Sequence, residues 1–246
     1  MKYKNYIFDL YGTLVDIHTD ESKASIWKKI AVYFSAQGAA YTGKELEERY
    51  IALIHEEEKK LLKKLKKKFP DITVKEVEID LDRVFVKLYQ EKGVKANKQM
   101  IKDSMLAFRA ITMEKLRLFE GAKELLQGLK AEGKQVFLLS NAQTSFTLPE
   151  MKALGIDTLF DDIFFSSDLE VKKPSCYFYD ALFAKHGLRK SESVMVGNDR
   201  FADVQGALDY GIEAIYLHTE QSTPFEGELP KGSVQVERLI DILEAQ

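Results

Sequence analysis

The chain has 246 residues, with 45% hydrophobic and 30% charged side chains and a formal net charge of −3. That is enough apolar chain for one large packed unit or two smaller ones, and the charge balance excludes any global pull toward nucleic acid or anionic membrane. Cys176 is the only cysteine, which excludes an internal disulfide framework, and no apolar run approaches the ~20 residues of a membrane-spanning helix.

The first element is Tyr6-Ile7-Phe8, which runs into an acid, Asp9, breaks at Gly12 and resumes with Thr13, Leu14 and Val15. This reads as a short buried strand ending in a carboxylate, then a tight turn. Ligands of open parallel sheets bind beyond the carboxyl ends of the strands, so Asp9 stands where chemistry is done. An acid this early leaves no room for a signal-peptide apolar run. With the lone cysteine, the expectation is a reducing, cytoplasmic setting.

A polar connector, IHTDESK, follows, in which Asp20 or Ser22 is placed to cap a helix. Ile26, Trp27, Ile30, Ala31 and Phe34 recur at helical spacing up to Gly38. A second helix is expected from Gly43 to Phe69, stopped by Pro70. Its stretch EEEKKLLKKLKKKF places acids before bases, which suits pairing along the helix and the helix dipole, so the lysines are read as a solvated face. Two more helical patterns follow, through Leu81–Tyr89 and Met100–Ile111.

Beyond residue 112 the character changes. Helical stretches alternate with QVFLLSN, DIFFSSD, SVMVGND and EAIYLHT. Such alternation means βαβ units, and with the Asp9 strand it predicts five parallel strands in an α/β, Rossmann-like sheet. Residues 1–16 and 113–246 are then the catalytic core, and 17–112 an inserted all-helical cap domain.

Polar groups collect at the strand ends: Asp9 with Thr13; Ser140-Asn141; Lys172-Lys173 before Pro174; Asn198-Asp199 with Asp203. Each alone reads as a turn or a cap. Together, as FDLYGTLVD, LLSNA, KKPSCYF and VGNDRFADVQGA, they resemble the four motifs of the haloacid dehalogenase-like hydrolase superfamily. The insertion resembles the helical cap of the subfamily whose cap follows the first motif.

The resemblance implies Asp9 as nucleophile, forming a covalent intermediate. Thr13, Ser140 and backbone amides of the loop after Asp9 would bind the group under attack, Lys173 would stabilise charge, and Tyr11 and Asn141 are counted with them as catalytic positions. In the phosphatases of this superfamily Mg²⁺ is held by the nucleophile, the backbone carbonyl two residues on (here Tyr11) and acids of the last motif. Asp203 fits the second of these acids, and the first falls on either Asn198 or Asp199. A gathering of acids would repel itself without a cation, which Lys173 only partly supplies. The expectation is therefore a Mg²⁺-dependent phosphatase of a small phosphorylated metabolite. Phosphatases carry a general-acid Asp where this chain has Tyr11, a form that resembles the metal-free 2-haloacid dehalogenases. That enzyme is the alternative reading, beside a binding protein on a weakened site. His18, Asp20, Glu21 and Arg109 are read as plain surface, Arg200 as a solvated helix end and Cys176 as packing.

Overall fold

The computed structural model describes residues 3–224 and 227–244. β1 (Asn5–Phe8) is buried along its whole length, as expected of a strand with helices on both faces of its sheet. The chain then enters β2 (Val15–Thr19) and four helices: α1 (Ala24–Ala36), α2 (Gly43–Leu65), α3 (Leu81–Glu91) and α4 (Lys98–Thr112). It returns through β3 (Met113–Leu118), antiparallel to β2 with Val15 opposite Leu118 and Ile17 opposite Leu116. The rest alternates: α5 (Ala122–Ala131), β4 (Gln135–Ser140), α6 (Thr144–Leu154), β5 (Asp162–Phe165), α7 (Ser166–Leu169), α8 (Cys176–His186), β6 (Ser193–Gly197), α9 (Gly206–Tyr210), β7 (Glu213–Leu217), β8 (Ser233–Val236) and α10 (Asp241–Glu244).

The main sheet is parallel in the order β5-β4-β1-β6-β7-β8. β1 lies between β4 and β6, where the strand order reverses and the crevice beyond the carboxyl ends opens. The sheet has six strands, one more than the alternation predicted, because SVQV is short and half-exposed and carries little apolar signal. The β2–β3 ribbon was also unforeseen, since its second half reads as polar connector. α2 ends at Leu65, short of Phe69, consistent with Pro70 disfavouring helix in the residue before it. Neither Asp20 nor Ser22 caps α1, whose N-cap is Lys23. Asp20 instead accepts the Ser22 N–H at 2.8 Å.

The four inserted helices carry their own apolar centre. Phe34 stacks on Tyr89 at 4.7 Å, and Trp27 packs against Tyr50 at 5.1 Å. α2 starts at a capping box in which Thr42 accepts from the Glu45 N–H (3.2 Å) and Glu45 answers on the Thr42 N–H (3.4 Å). All seven lysines of its tail face solvent.

The insertion seats on the carboxyl-end side of the sheet. Gln143, just after β4, accepts the Leu81 N–H at 2.9 Å and donates to the Ile79 carbonyl at 2.8 Å. Val77 forms an antiparallel bridge to Val171, flanked by Lys172 N–H to Glu76 carbonyl at 2.8 Å. Glu170 has φ 61°, the one positive value among the described non-glycine residues, a region that L side chains rarely occupy. Its carboxylate is held by Lys64 (2.5 Å) and Arg83 (2.9 Å) from the insertion. The inserted helices thus grip the segment leading into Lys173.

Candidate active site

Asp9 leaves β1 at the crevice, its N–H donating to the Val196 carbonyl at 2.9 Å, and keeps 8% of its surface exposed. Lys173 Nζ lies 2.7 Å from Asp9 Oδ1 and 2.7 Å from Asp203 Oδ1. The mutual repulsion expected of Asp9 and Asp203 is therefore met within the protein, by an ammonium set between them. Burial opposes the charge on Lys173, but the two carboxylates outweigh it, so its pKa lies above the ordinary lysine value. Burial pushes Asp203 up to about 7; Lys173 counters this and the Asp9 charge adds to it.

The neighbours hold this trio in place. Asn141 Oδ1 accepts the Lys173 N–H at 2.8 Å, and its Nδ2 donates to the Lys173 carbonyl at 3.1 Å. Its amide thus aligns Lys173 while the residue also lines the cavity described below. Thr13 Oγ1 lies 3.3 Å from Asp9 Oδ2 and 3.2 Å from Asn198 Oδ1, and accepts the Asn198 N–H at 3.1 Å. Gly12 turns at φ +81°, and a Cβ there would fall 2.3 Å from Asn198 Nδ2, so a side chain at this position would displace the amide. Asp199 Oδ1 accepts the N–H groups of Phe201 and Ala202, both at 2.8 Å, capping the helical turn that carries Asp203. Ser140 ends β4 with a buried hydroxyl that has no partner.

A cavity of about 240 Å³ opens over these groups, lined by Asp9, Ser140, Lys173, Asn198 and Asp199 among others. Its lining offers oxygen donors and no imidazole or thiolate among the described residues, which suits a hard cation such as Mg²⁺. Asp203 suits it less. One of its oxygens takes Lys173 and the other accepts the Asp199 N–H at 3.0 Å, packed so tightly that a Cβ on Gly197 would fall 2.2 Å from it.

Tyr11 belongs to a second cluster. Its hydroxyl donates to Glu150 and stands 3.0 Å from Thr147 Oγ1. Burial first, and the Glu150 charge second, raise its pKa well above the ordinary phenol value. Arg109 Nε donates to Glu150 Oε1 at 2.5 Å, and its guanidinium lies over the rings of Phe146 (4.4 Å) and Tyr11 (5.5 Å). Arg109 is therefore not plain surface: its side chain is 12% exposed and joins α4 to α6. Sequence reasoning missed Glu150, whose partners lie far along the chain. Removing one partner of such a buried pair strands the other charge. Arg109→Ala is accordingly expected to lower unfolding free energy by about 3 kcal/mol in urea titration.

His18 is exposed beside Glu114, and Glu21 is exposed as expected. Arg200 donates to the Glu228 carbonyl at 2.8 Å. Cys176 is exposed at the start of α8 and does not pack. None of the four cap residues singled out lines the cavity, whereas Gln221 and Thr223, which sequence reasoning passed over, do.

A family model described as haloacid dehalogenase-like hydrolase matches residues 3–211. Glyceraldehyde 3-phosphate phosphatase of Methanothermobacter thermautotrophicus is 27% identical over 138 residues, covering 56% of this chain and 61% of that protein. The chain spans only about half to three-fifths of the length of such phosphatase relatives. (S)-2-haloacid dehalogenase 4A of Burkholderia cepacia is 24% identical, covering 96% of this chain and 91% of that protein. The HAD hydrolase YfnB of Bacillus subtilis, solved bound to magnesium, superposes with a TM-score of 0.57 at 17% identity. That match covers 100% of this chain and 99% of that one, and at such identity it speaks for the fold alone.

Proposed function

The chain belongs to the haloacid dehalogenase-like hydrolase family, and from that premise we propose that it hydrolyses a small phosphate ester through Asp9. The observation that carries this reading is one cavity holding Asp9, the Lys173 ammonium and the unpartnered, buried Ser140 hydroxyl. A buried polar group without a partner is costly, and a phosphoryl oxygen would satisfy it. Asp9 would attack phosphorus, forming an oxygen–phosphorus bond as the bond to the leaving oxygen breaks. Water would then cleave the acyl phosphate, releasing phosphate and restoring the carboxylate. Lys173 would hold Asp9 aligned and offset the developing charge. Asp9, the Tyr11 carbonyl, Asn198 and Asp199 would hold Mg²⁺, and we assign Asp203 to Lys173 instead. Bound there, Mg²⁺ would supply charge neutralisation at the phosphoryl oxygens.

One observation favours the dehalogenase reading. Tyr11 keeps its proton and gives its hydrogen bond to Glu150, which leaves no general acid at that position; departing halide needs none. The end-to-end likeness to a haloacid dehalogenase points the same way.

The two readings part on leaving groups. As a phosphatase, the chain is expected to cleave nitrophenyl phosphate with Mg²⁺ and lose that activity with chelator, while alkyl phosphates react slowly. Tyr11→Asp alone would set a carboxylate beside Glu150, and like charges there would hold it protonated or displaced. Tyr11→Asp with Glu150→Gln is therefore expected to raise kcat/KM on alkyl phosphates by about 10²-fold, the lower end of what a positioned general acid supplies. The gain on nitrophenyl phosphate should be much smaller. Equal gains on both esters would refute the missing-acid account, and chelator-insensitive halide release would establish the dehalogenase.

A further inference from the structure

The cavity over Asp9 takes none of its described lining from the inserted helices, yet the insertion reaches the chemistry by another route. Residues 76–78 of the insertion run antiparallel to residues 170–172, which directly precede Lys173. The Glu78 N–H donates to the Glu170 carbonyl at 3.1 Å and the Lys172 N–H to the Glu76 carbonyl at 2.8 Å, on either side of the buried Val77–Val171 bridge. A carboxylate from each segment crosses to the other unit. Glu78 accepts from Gln143 Nε2 at 3.1 Å and from Ser166 Oγ at 3.2 Å, with Lys172 Nζ 3.8 Å away. Glu170 takes Lys64 at 2.5 Å and Arg83 at 2.9 Å, from α2 and α3.

The backbone at Glu170 shows that this last contact matters. Glu170 ends α7 in the left-handed region, where helices commonly carry glycine or asparagine because a Cβ is strained there. A glutamate in that conformation is explained by its side chain, which is 14% exposed between the two cations. Three residues on, the main chain of Lys173 is held from its other side by Asn141. The lysine side chain is long and flexible, so its Nζ stays 2.7 Å from both Asp9 and Asp203 only while its backbone is fixed. A misplacement of about 1 Å at a reacting centre costs on the order of 10²-fold in rate.

We propose that Glu170 is a positioning residue: fastened by Lys64 and Arg83, it locks the paired segments and so holds Lys173 between Asp9 and Asp203. This rests on Asp9 and Lys173 acting as in the phosphatase reading. The insertion then serves the reaction through the backbone of Lys173, with no side chain in the cavity.

The test uses the full chain, Glu170→Asn, and Lys64→Met with Arg83→Met. Asparagine suits the left-handed backbone but cannot span both cations, and the two cations are exposed, so little packing is lost. Glu170→Asn is expected to melt within a few degrees of the wild type, because relief at the backbone offsets the lost ion pairs. Its kcat on nitrophenyl phosphate with Mg²⁺ should nevertheless fall about ten-fold, with KM little changed. Amide exchange at Lys172 and Lys173 should quicken about ten-fold while that of β1 stays as it was. The double variant should do the same, and adding Glu170→Asn to it should change little more. Wild-type kcat in Glu170→Asn, or unaltered exchange at Lys172 and Lys173, would overturn the proposal. So would a rate that falls only in step with the melting temperature and with faster exchange throughout the sheet. No phosphate release by the wild type would overturn the phosphatase reading, and the exchange rates would still decide whether Glu170 holds Lys173.

Discussion

Asp9→Asn is expected to lower turnover by roughly 10⁴-fold or more while the protein stays folded. The amide cannot attack phosphorus or carbon as a carboxylate does, so the covalent route is closed at its first bond. The neighbourhood tolerates the change. Asn can present its oxygen to Lys173 Nζ, 2.7 Å away in the wild type, and its nitrogen to Thr13 Oγ1, 3.3 Å away. Lys173 also keeps Asp203 as a counter-charge. The melting temperature should therefore move little, and steady-state assays should show kcat lost with substrate still bound. A folded variant with wild-type rates would remove Asp9 from the chemistry.

Lys173→Met is expected to cost both activity and stability. Its side chain is 1% exposed and stands between two carboxylates, so its removal leaves Asp9 and Asp203 facing each other at the crevice. Breaking a buried charge pair from one side typically costs about 3–5 kcal/mol, and losing a charge-stabilising group about 10²–10³ in kcat. The pH dependence has a definite sign. Asp203 is already raised to about 7, first by burial and then by Asp9, with Lys173 opposing. An acid raised on folding contributes stability that is complete below its unfolded value and is lost as pH rises through its folded value. Without Lys173 that folded value climbs further. The variant should then recover stability toward wild type as pH falls toward about 7 from the alkaline side, a window that lies above the wild-type Asp203 value, read from urea midpoints across pH. A deficit independent of pH would mean that Lys173 acts by packing and not by charge.

The order of elements and the rim of polar strand ends were legible because both follow from local pattern. Asp9 ends an apolar run, Lys173 precedes Pro174, and strands alternate with helices. What was not legible depends on pairing across the chain. Val15–Thr19 and Met113–Leu118 become a ribbon only because each finds the other, and β8 pairs although it is half-exposed. Arg109 and Glu150 each look like solvent-facing helix charges, and their contact across 41 residues buries Glu150 and most of the Arg109 side chain. The role of Lys173 was underestimated for a related reason: charge counting along a sequence cannot see an ammonium equidistant from two acids. Gln221 and Thr223 were not singled out because nothing in their local pattern marks them. They line the cavity beside the motif residues, from a polar loop whose position follows from Thr219 and Gln221 anchoring to the nucleophile turn and the ribbon.

In the proposed reaction Asp9 takes the phosphoryl group onto its own carboxylate. Its most direct test is acid quench of the wild-type protein with Mg²⁺ within the first turnovers of nitrophenyl phosphate, followed by mass analysis of the peptide carrying Asp9. A phosphoryl adduct is expected on that peptide, absent from Asp9→Asn and discharged as free phosphate when turnover continues. Phosphate release that persists in Asp9→Asn, or an alkyl ester on Asp9 formed from a 2-haloacid with release of halide, would contradict it.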